Sequence, residues 1–254
     1  MDFALRRASV RAVNDHIWLL NDNDEATGYV VAGTARALVI DSMTGLVNVR
    51  EEAERLTGLP LTLVNTHGHS DHIGGNWSFD KAYLHPADLS LAQAFLDLPM
   101  VREISGCFSL RFPAFDAIDE GDVFDLGGIH VEVWRLPGHT AGEIVLLDRE
   151  DRILFSGDGV IEQIWLQLEE SLPISTQIAA MERLAFLRPA FDTILTGHSR
   201  GPEPAELYDA MLSAARSLVA GDGASDVEYR WHGGVCKAHP YGREPRRIVY
   251  REIR

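Results

Sequence analysis

Apolar residues arrive in short bursts along the first quarter of the chain. His16 to Leu20 and Ala26 to Val31 are two such bursts, separated by the polar run NDNDE, and together they predict a hairpin. Ala37 to Asp41 (ALVID) predicts another strand. Leu46, Val49, Ala53 and Leu56 then recur at helical spacing, with Glu51, Glu52, Glu54 and Arg55 on the wet face, and Gly58 and Pro60 end that helix. Leu61 to Val64 (LTLV) reads as a buried strand.

The remainder follows similar rules. Lys81 to His85 predicts a strand, and Pro86 opens a helix over Ala87 to Leu98. Ile129, Val131 and Val133 alternate with His130, Glu132 and Trp134, a strand with one buried face. Glu143 to Leu147 and Arg152 to Ser156 flank the polar turn DRED. Ile174 to Leu187 predicts a helix, Asp192 to Thr196 a strand, and Pro204 to Val219 a long helix whose apolar face is Leu207, Met211, Leu212, Ala215 and Leu218. Strands cluster in pairs with few helices between them, so the chain is expected to be α+β, with two layers of sheet and helices outside.

Composition narrows the function classes. With 254 residues and 46% hydrophobic content, the chain can bury a substantial core. Its net charge of −15 disfavours generic binding to nucleic acid or to an anionic membrane, both of which demand a positive surface. Cys107 and Cys236 are the two cysteines and read as separate thiols of a reducing compartment. The N-terminal stretch lacks an apolar secretory region, and no apolar run approaches the ~20 residues of a membrane span. A soluble, cytoplasmic protein is expected.

The densest chemistry is Asn65 to Asn76, NTHGHSDHIGGN, directly after a predicted strand. His67 and His69 share one face of an extended segment. A helical turn starting near Ser70 would send Asp71 and His72 toward a second position. Neutral imidazoles and a carboxylate suit zinc, with iron or manganese chemically possible. A surface loop of solvated histidines is the alternative. Partners are offered far along the chain: His139 in GHT, Asp158 in GDG and His198 in GHS, each after a predicted strand and a glycine.

With these residues in view, the chain resembles the metallo-β-lactamase-fold hydrolase superfamily. His67-x-His69-x-Asp71-His72, then His139, Asp158 and His198 follow its motif order over most of the chain. The resemblance implies one domain over 1–254, a four-layer αββα sandwich, and an active site along one edge of the central sheets. It implies two divalent metal ions, most simply zinc: His67, His69 and His139 at one, Asp71, His72 and His198 at the other, and Asp158 bridging. Asp41 would support the site from behind. Thr140, with Thr66 and Ser70, would steady ligands or loops unless these merely cap turns.

Two divalent ions and two ionised aspartates leave about two positive charges, enough to acidify a bridging water and polarise a carbonyl. The expected reaction is attack by metal-held hydroxide on a small-molecule ester, thioester or lactone, with Asp71 orienting the water or carrying a proton. Glyoxalase II-like and lactonase-like members share the ligand series. A β-lactam amide hydrolase, a mononuclear iron persulfide dioxygenase and a non-catalytic metal-containing binding module are the alternatives. Phe108, Phe112, Trp165 and Leu166 are candidates for an apolar substrate pocket, with routine packing as the other account. His16, His85, His130, His232 and His239 read as structural or solvated. The basic C-terminal segment reads as salt-bridged, or as a surface for an anionic tail.

Overall fold

The computed structural model describes residues 7–251. The first half of the chain builds a seven-stranded sheet in sequential order: β1 (Ser9–Ala12), β2 (Ile17–Asp22), β3 (Ala26–Ala32), β4 (Ala37–Ile40), β5 (Leu61–Val64), β6 (Ala82–Leu84) and β7 (Phe115–Ala117). The expected first hairpin is β2–β3. A second, six-stranded sheet contains β8 (Val123–Asp125), β9 (His130–Arg135), β10 (Ile144–Asp148) and β11 (Ile153–Gly157). The chain leaves this sheet as β12 (Gln163–Leu166) and returns as β13 (Thr193–Thr196) and β14 (Glu203–Pro204). β12 joins β15 (Val227–Trp231), β16 (Gly234–Pro240) and β17 (Arg247–Tyr250) in a four-stranded sheet that the sequence pattern did not predict.

The two larger sheets pack face to face. Ile17, Leu19, Tyr29, Val31, Leu38, Ile40 and Val64 of the first meet Val131, Val133, Ile144, Leu146, Phe155 and Leu195 of the second. β10 shows why its sequence is apolar from Ile144 to Leu147. Ile144 and Leu146 point between the sheets, while Val145 and Leu147 point outward under α5 (Ile174–Leu184) and α6 (Glu206–Val219). Burying each such side chain contributes about 1.5–3 kcal/mol. On the opposite side α1 (Val49–Thr57) covers the first sheet through Val49 and Ala53. The layers are therefore α, β, β, α, as expected.

Helix boundaries departed from the pattern where local chemistry intervened. Asn48 caps α1 by accepting from the Glu51 N–H, which leaves Leu46 ahead of the helix and 39% exposed. Gly58, in the left-handed region at φ 64°, closes α1. A single turn, α2 (Ser70–Ile73), follows β5. The helix expected over Ala87 to Leu98 is α3 (Leu89–Leu96), and Leu98 is extended because Pro99 follows it and starts α4 (Pro99–Phe108). Pro204 lies in the short strand β14, so α6 begins two residues later.

Cys107 and Cys236 are unpaired thiols, as read from the sequence. In the basic C-terminal segment, Arg243 and Arg246 share Glu203 and Arg247 meets Glu244. Arg251 lies over the Trp231 ring. Among the described residues no helix is long and apolar enough to cross a membrane.

Candidate metal centre

Strand direction assembles the cluster. β4 and β5 are parallel, so Asp41 and the His67–His72 segment emerge at one edge of the first sheet. In the second sheet β10 is antiparallel to both β9 and β11, and β11 is parallel to β13. The loops carrying His139, Asp158 and His198 therefore leave one edge too. These two edges meet. Gly75 makes the turn after α2 possible: a Cβ there would lie 2.2 Å from the Ser42 carbonyl oxygen.

All seven motif residues come together. Ligand-capable atoms of His67, His69 and His139 lie within 4.8 Å of one another, as do those of His67, His72 and Asp158, and those of Asp71, His72 and His198. Asp158 faces both ways. Its Oδ1 is 3.7 Å from His72 Nε2, while its Oδ2 is 3.6 Å from His139 Nε2 and 3.2 Å from His198 Nε2. Asp71 Oδ2 is 3.4 Å from His198 Nε2.

Each imidazole has an acceptor behind it, and that acceptor assigns the tautomer. His69 Nε2 donates to Glu170 at 2.7 Å, His72 Nδ1 to Asp41 at 2.9 Å, His139 Nδ1 to the Trp165 carbonyl at 2.7 Å, and His198 Nδ1 to the Glu25 carbonyl at 2.6 Å. Thr66 Oγ1 donates to Asp41, so it accepts from His67 Nδ1 at 3.0 Å. The other nitrogen of every ring is thereby turned inward, toward the space a cation would take.

This donor set fits cations. His69 Nδ1 and His139 Nε2 lie 3.0 Å apart with their outer nitrogens already donating, an arrangement that repels unless a proton or a cation sits between. His67 Nε2, His72 Nε2 and Asp158 Oδ1 are buried without a hydrogen-bond partner. Leaving such a group unsatisfied costs about 1–3 kcal/mol. Imidazole nitrogens and carboxylate oxygens are the donors that borderline divalent ions take.

Electrostatics divide the rings. Burial and the neighbouring imidazoles push His67 well below the ordinary histidine value, and burial with His69 nearby pushes His139 down to about 4. Burial opposes charge on His72, but Asp41, Asp71 and Asp158 overcome it and raise this ring to about 10. His198 rises to about 9 against the same burial, chiefly through Asp158. Asp158, though desolvated, is held well below the carboxylate range by His198, His72 and His139. Glu143 is pushed well above that range by burial and by Asp158, and its Oε2 lies 3.4 Å from His67 Nδ1.

The supporting residues reach further than the motif. Asp41, in the left-handed region at φ 60°, accepts from the Thr66 N–H at 2.7 Å and the Thr66 hydroxyl at 2.8 Å as well as from His72. Thr140 donates to Asp88 and touches none of the histidines through its hydroxyl. Glu143, Asp88 and Glu170 were not singled out from the sequence. Glu143 Oε1 accepts from the backbone N–H groups of Asp158 and Gly159, both at 3.1 Å. A glutamate opening the otherwise apolar β10 region was the available signal. Asp88 reads as an ordinary helix cap, and Glu170 carries no local signal.

The expected pocket residues separate. Trp165 stays beside the centre through its carbonyl, with its indole 5.6 Å from Trp231. Leu166 is buried in the core with Ile164, Ile248 and the outer helices, because it alternates with Trp165 to the opposite face of β12. Phe108 ends α4, and Phe112 packs edge-on against Phe95 at 6.4 Å. A groove of about 660 Å³ between α3 and β7, lined by Leu89, Gln93, Leu96, Pro113 and Phe115, contains none of the clustered histidines. The other histidines are engaged elsewhere: His16 with Asp151, His85 with Asp119, His130 with Glu150, His239 with Asp226, and His232 against Trp231.

Comparison with known proteins agrees with this geometry. The model of the metallo-beta-lactamase superfamily matches residues 22–198, a span that contains every clustered residue. Acyl-coenzyme A thioesterase MBLAC2 of Homo sapiens is 29% identical over 229 residues, covering 77% of this chain and 82% of that protein. Hydroxyacylglutathione hydrolase of Hyphomonas neptunium is 28% identical over 183 residues, covering 63% of this chain and 61% of that protein. The structure of a metallo-beta-lactamase from Pontibacter korlensis shares the fold, with a TM-score of 0.60 at 18% identity over 83% of this chain and 99% of the other. With the αββα layers, the strand-edge cluster and a family match running from β2 to His198, this chain belongs to the metallo-beta-lactamase superfamily and is one of its hydrolytic enzymes.

Proposed function

We propose that the chain hydrolyses the thioester of a small thiol carrier, using two divalent cations, zinc by preference. One would be held by His67, His69 and His139, the other by Asp71, His72 and His198, with Asp158 shared. The observation that carries this reading is the two-sided Asp158, with one oxygen turned to His72 and the other to His139 and His198. When bound, such cations supply Lewis acidity, which makes water acidic enough to attack at neutral pH and polarises a carbonyl. Two relatives whose names specify a coenzyme A thioesterase and a hydroxyacylglutathione hydrolase favour thioesters over lactones and β-lactams.

The protein's part is positioning and proton handling. Asp71 is about a third exposed and faces His198, so its carboxylate is suited to orient the attacking water and pass a proton outward. Water adds to the carbonyl carbon, the carbon–sulfur bond breaks, and the departing thiolate takes up a proton. His139 and the loop carrying Ser171 are bound together, since Ser171 Oγ donates to the His139 carbonyl at 3.0 Å, which keeps one wall of the centre rigid.

Elemental analysis of metal-replete protein, followed by a panel of acyl-coenzyme A, acylglutathione, lactone, ester and β-lactam substrates, tests the reading. About two equivalents of metal and turnover confined to thioesters are expected. One equivalent of iron with dioxygen consumed on addition of a persulfide would replace it with the dioxygenase. Full metal loading with no turnover on any substrate would leave a binding module.

A further inference from the structure

Asp88 belongs to none of the ligand motifs, yet it touches both loops that carry the first group of histidines. It is 2% exposed and sits between β6 and α3. Its Oδ2 accepts from the Gly68 N–H at 2.9 Å and from the Thr140 hydroxyl at 2.7 Å, and its Oδ1 accepts from the Gly142 N–H at 2.6 Å. Gly68 separates His67 from His69, and Thr140 follows His139. One carboxylate therefore joins a loop 20 residues before it in sequence to one 54 residues after it.

The glycines on both loops are matched to this carboxylate. A Cβ on Gly68 would lie 2.9 Å from the Asp88 carbonyl oxygen, and one on Gly142 would lie 2.6 Å from the Asp88 carboxylate carbon. Asp88 occupies the cap position of α3 but makes no side-chain bond to that helix. Starting the helix is not what its oxygens do. The partners are three donors, so the position requires a group that only accepts.

The second group is held by other means. His72 leans on Asp41, and His198 on the Glu25 carbonyl. We infer that Asp88 is a positioning residue for the His67–His69–His139 site alone, clamping the two loops so that three imidazole nitrogens hold a cation-sized separation before any cation arrives. This rests on the two-cation reading proposed above. Losing such a support typically weakens metal affinity by about 10- to 100-fold.

The test is Asp88→Asn in the full chain, which keeps the volume but turns an amide NH₂ toward loop donors. Zinc dissociation constants come from chelator competition, and urea melts of the metal-free protein report folding. One of the two constants should weaken by about 10- to 100-fold while the other stays within about threefold. In the metal-free protein the Gly68 and Gly142 amide protons should move upfield by NMR and exchange faster with solvent, a change independent of metal and turnover. If this variant does not fold, Thr140→Val decides, since it removes one of the three bonds and should weaken the same single constant. Wild type binding two zinc ions while the variant loses both equally, or neither, overturns the role of Asp88 and leaves the two-cation reading standing. Wild type binding no zinc overturns both.

Discussion

Asp41→Asn exchanges one buried carboxylate oxygen for an amide nitrogen and leaves the volume unchanged. Asparagine tolerates the left-handed backbone of this position, so the perturbation is confined to hydrogen bonding. The amide oxygen can keep the Thr66 N–H. The NH₂ group then faces the Thr66 hydroxyl and His72 Nδ1–H, both donors to Asp41 in the wild type. Leaving two buried donors opposed costs about 1–3 kcal/mol each. Rotation of the hydroxyl recovers part of this, so a loss of about 2–4 kcal/mol is expected for the metal-free chain. His72 can avoid the clash only by giving up its Nδ1 proton and keeping one on Nε2, the nitrogen turned toward Asp71 and Asp158. That tautomer cannot bind a cation there. Urea unfolding of the metal-free variant and zinc titration of the folded protein measure the two effects. A variant within about 0.5 kcal/mol of wild type that still takes its second zinc at wild-type affinity would refute the assignment of Asp41 as the support of His72.

Three further outcomes follow from the same network. His72 and His198, at about 10 and about 9, carry protons at pH 7.5 in the metal-free protein, so loading zinc should release about two protons per chain into a weakly buffered indicator solution, and release of none would contradict the ring assignments. The stability these two rings contribute is present below about pH 6.5 and lost as pH rises through 9 to 10, whereas that of His139, lowered to about 4, is present above about pH 6.5 and lost as pH falls through 4; metal-free melts should peak between these limits and broaden on zinc addition. Glu170→Gln retains an acceptor for His69 Nε2 but not its charge, and since Glu170 is about a third exposed the loss in zinc affinity should be about 3- to 10-fold, with no change by chelator competition counting against Glu170 as the partner that orients His69.

Much of this molecule was legible along the chain because its information is local. Alternation in Ile129–Trp134, the apolar run Ile144–Leu147 and the helical stripe of Leu207 to Leu218 each report which faces are covered. That follows from side-chain periods of two and 3.6 residues. The histidine motif was legible for the same reason: three imidazoles and a carboxylate within six positions leave few other uses. Boundaries were less so. The helix expected over Ala87 to Leu98 stops at Leu96, ahead of the Leu98–Pro99 break, and Asn48 moves the start of α1 past Leu46, because a cap or a proline outranks the apolar stripe within a turn.

Other features had no local signature and were decided by the tertiary structure. The sheet of β12, β15, β16 and β17 pairs Leu166 with Tyr250, 84 residues on, and the placement of Leu166 in the core goes with that pairing. Asp88, Glu143 and Glu170 are common residue types at unremarkable positions, and each acquires a role only when a loop from elsewhere brings it a donor. The chain alone determined which side chains can bind cations and which faces are apolar, since those are properties of residue type and spacing. Only folding decided which nitrogen of each ring turns inward, because the tautomer belongs to the acceptor behind the ring, and for four of the five rings that acceptor comes from a segment far along the chain.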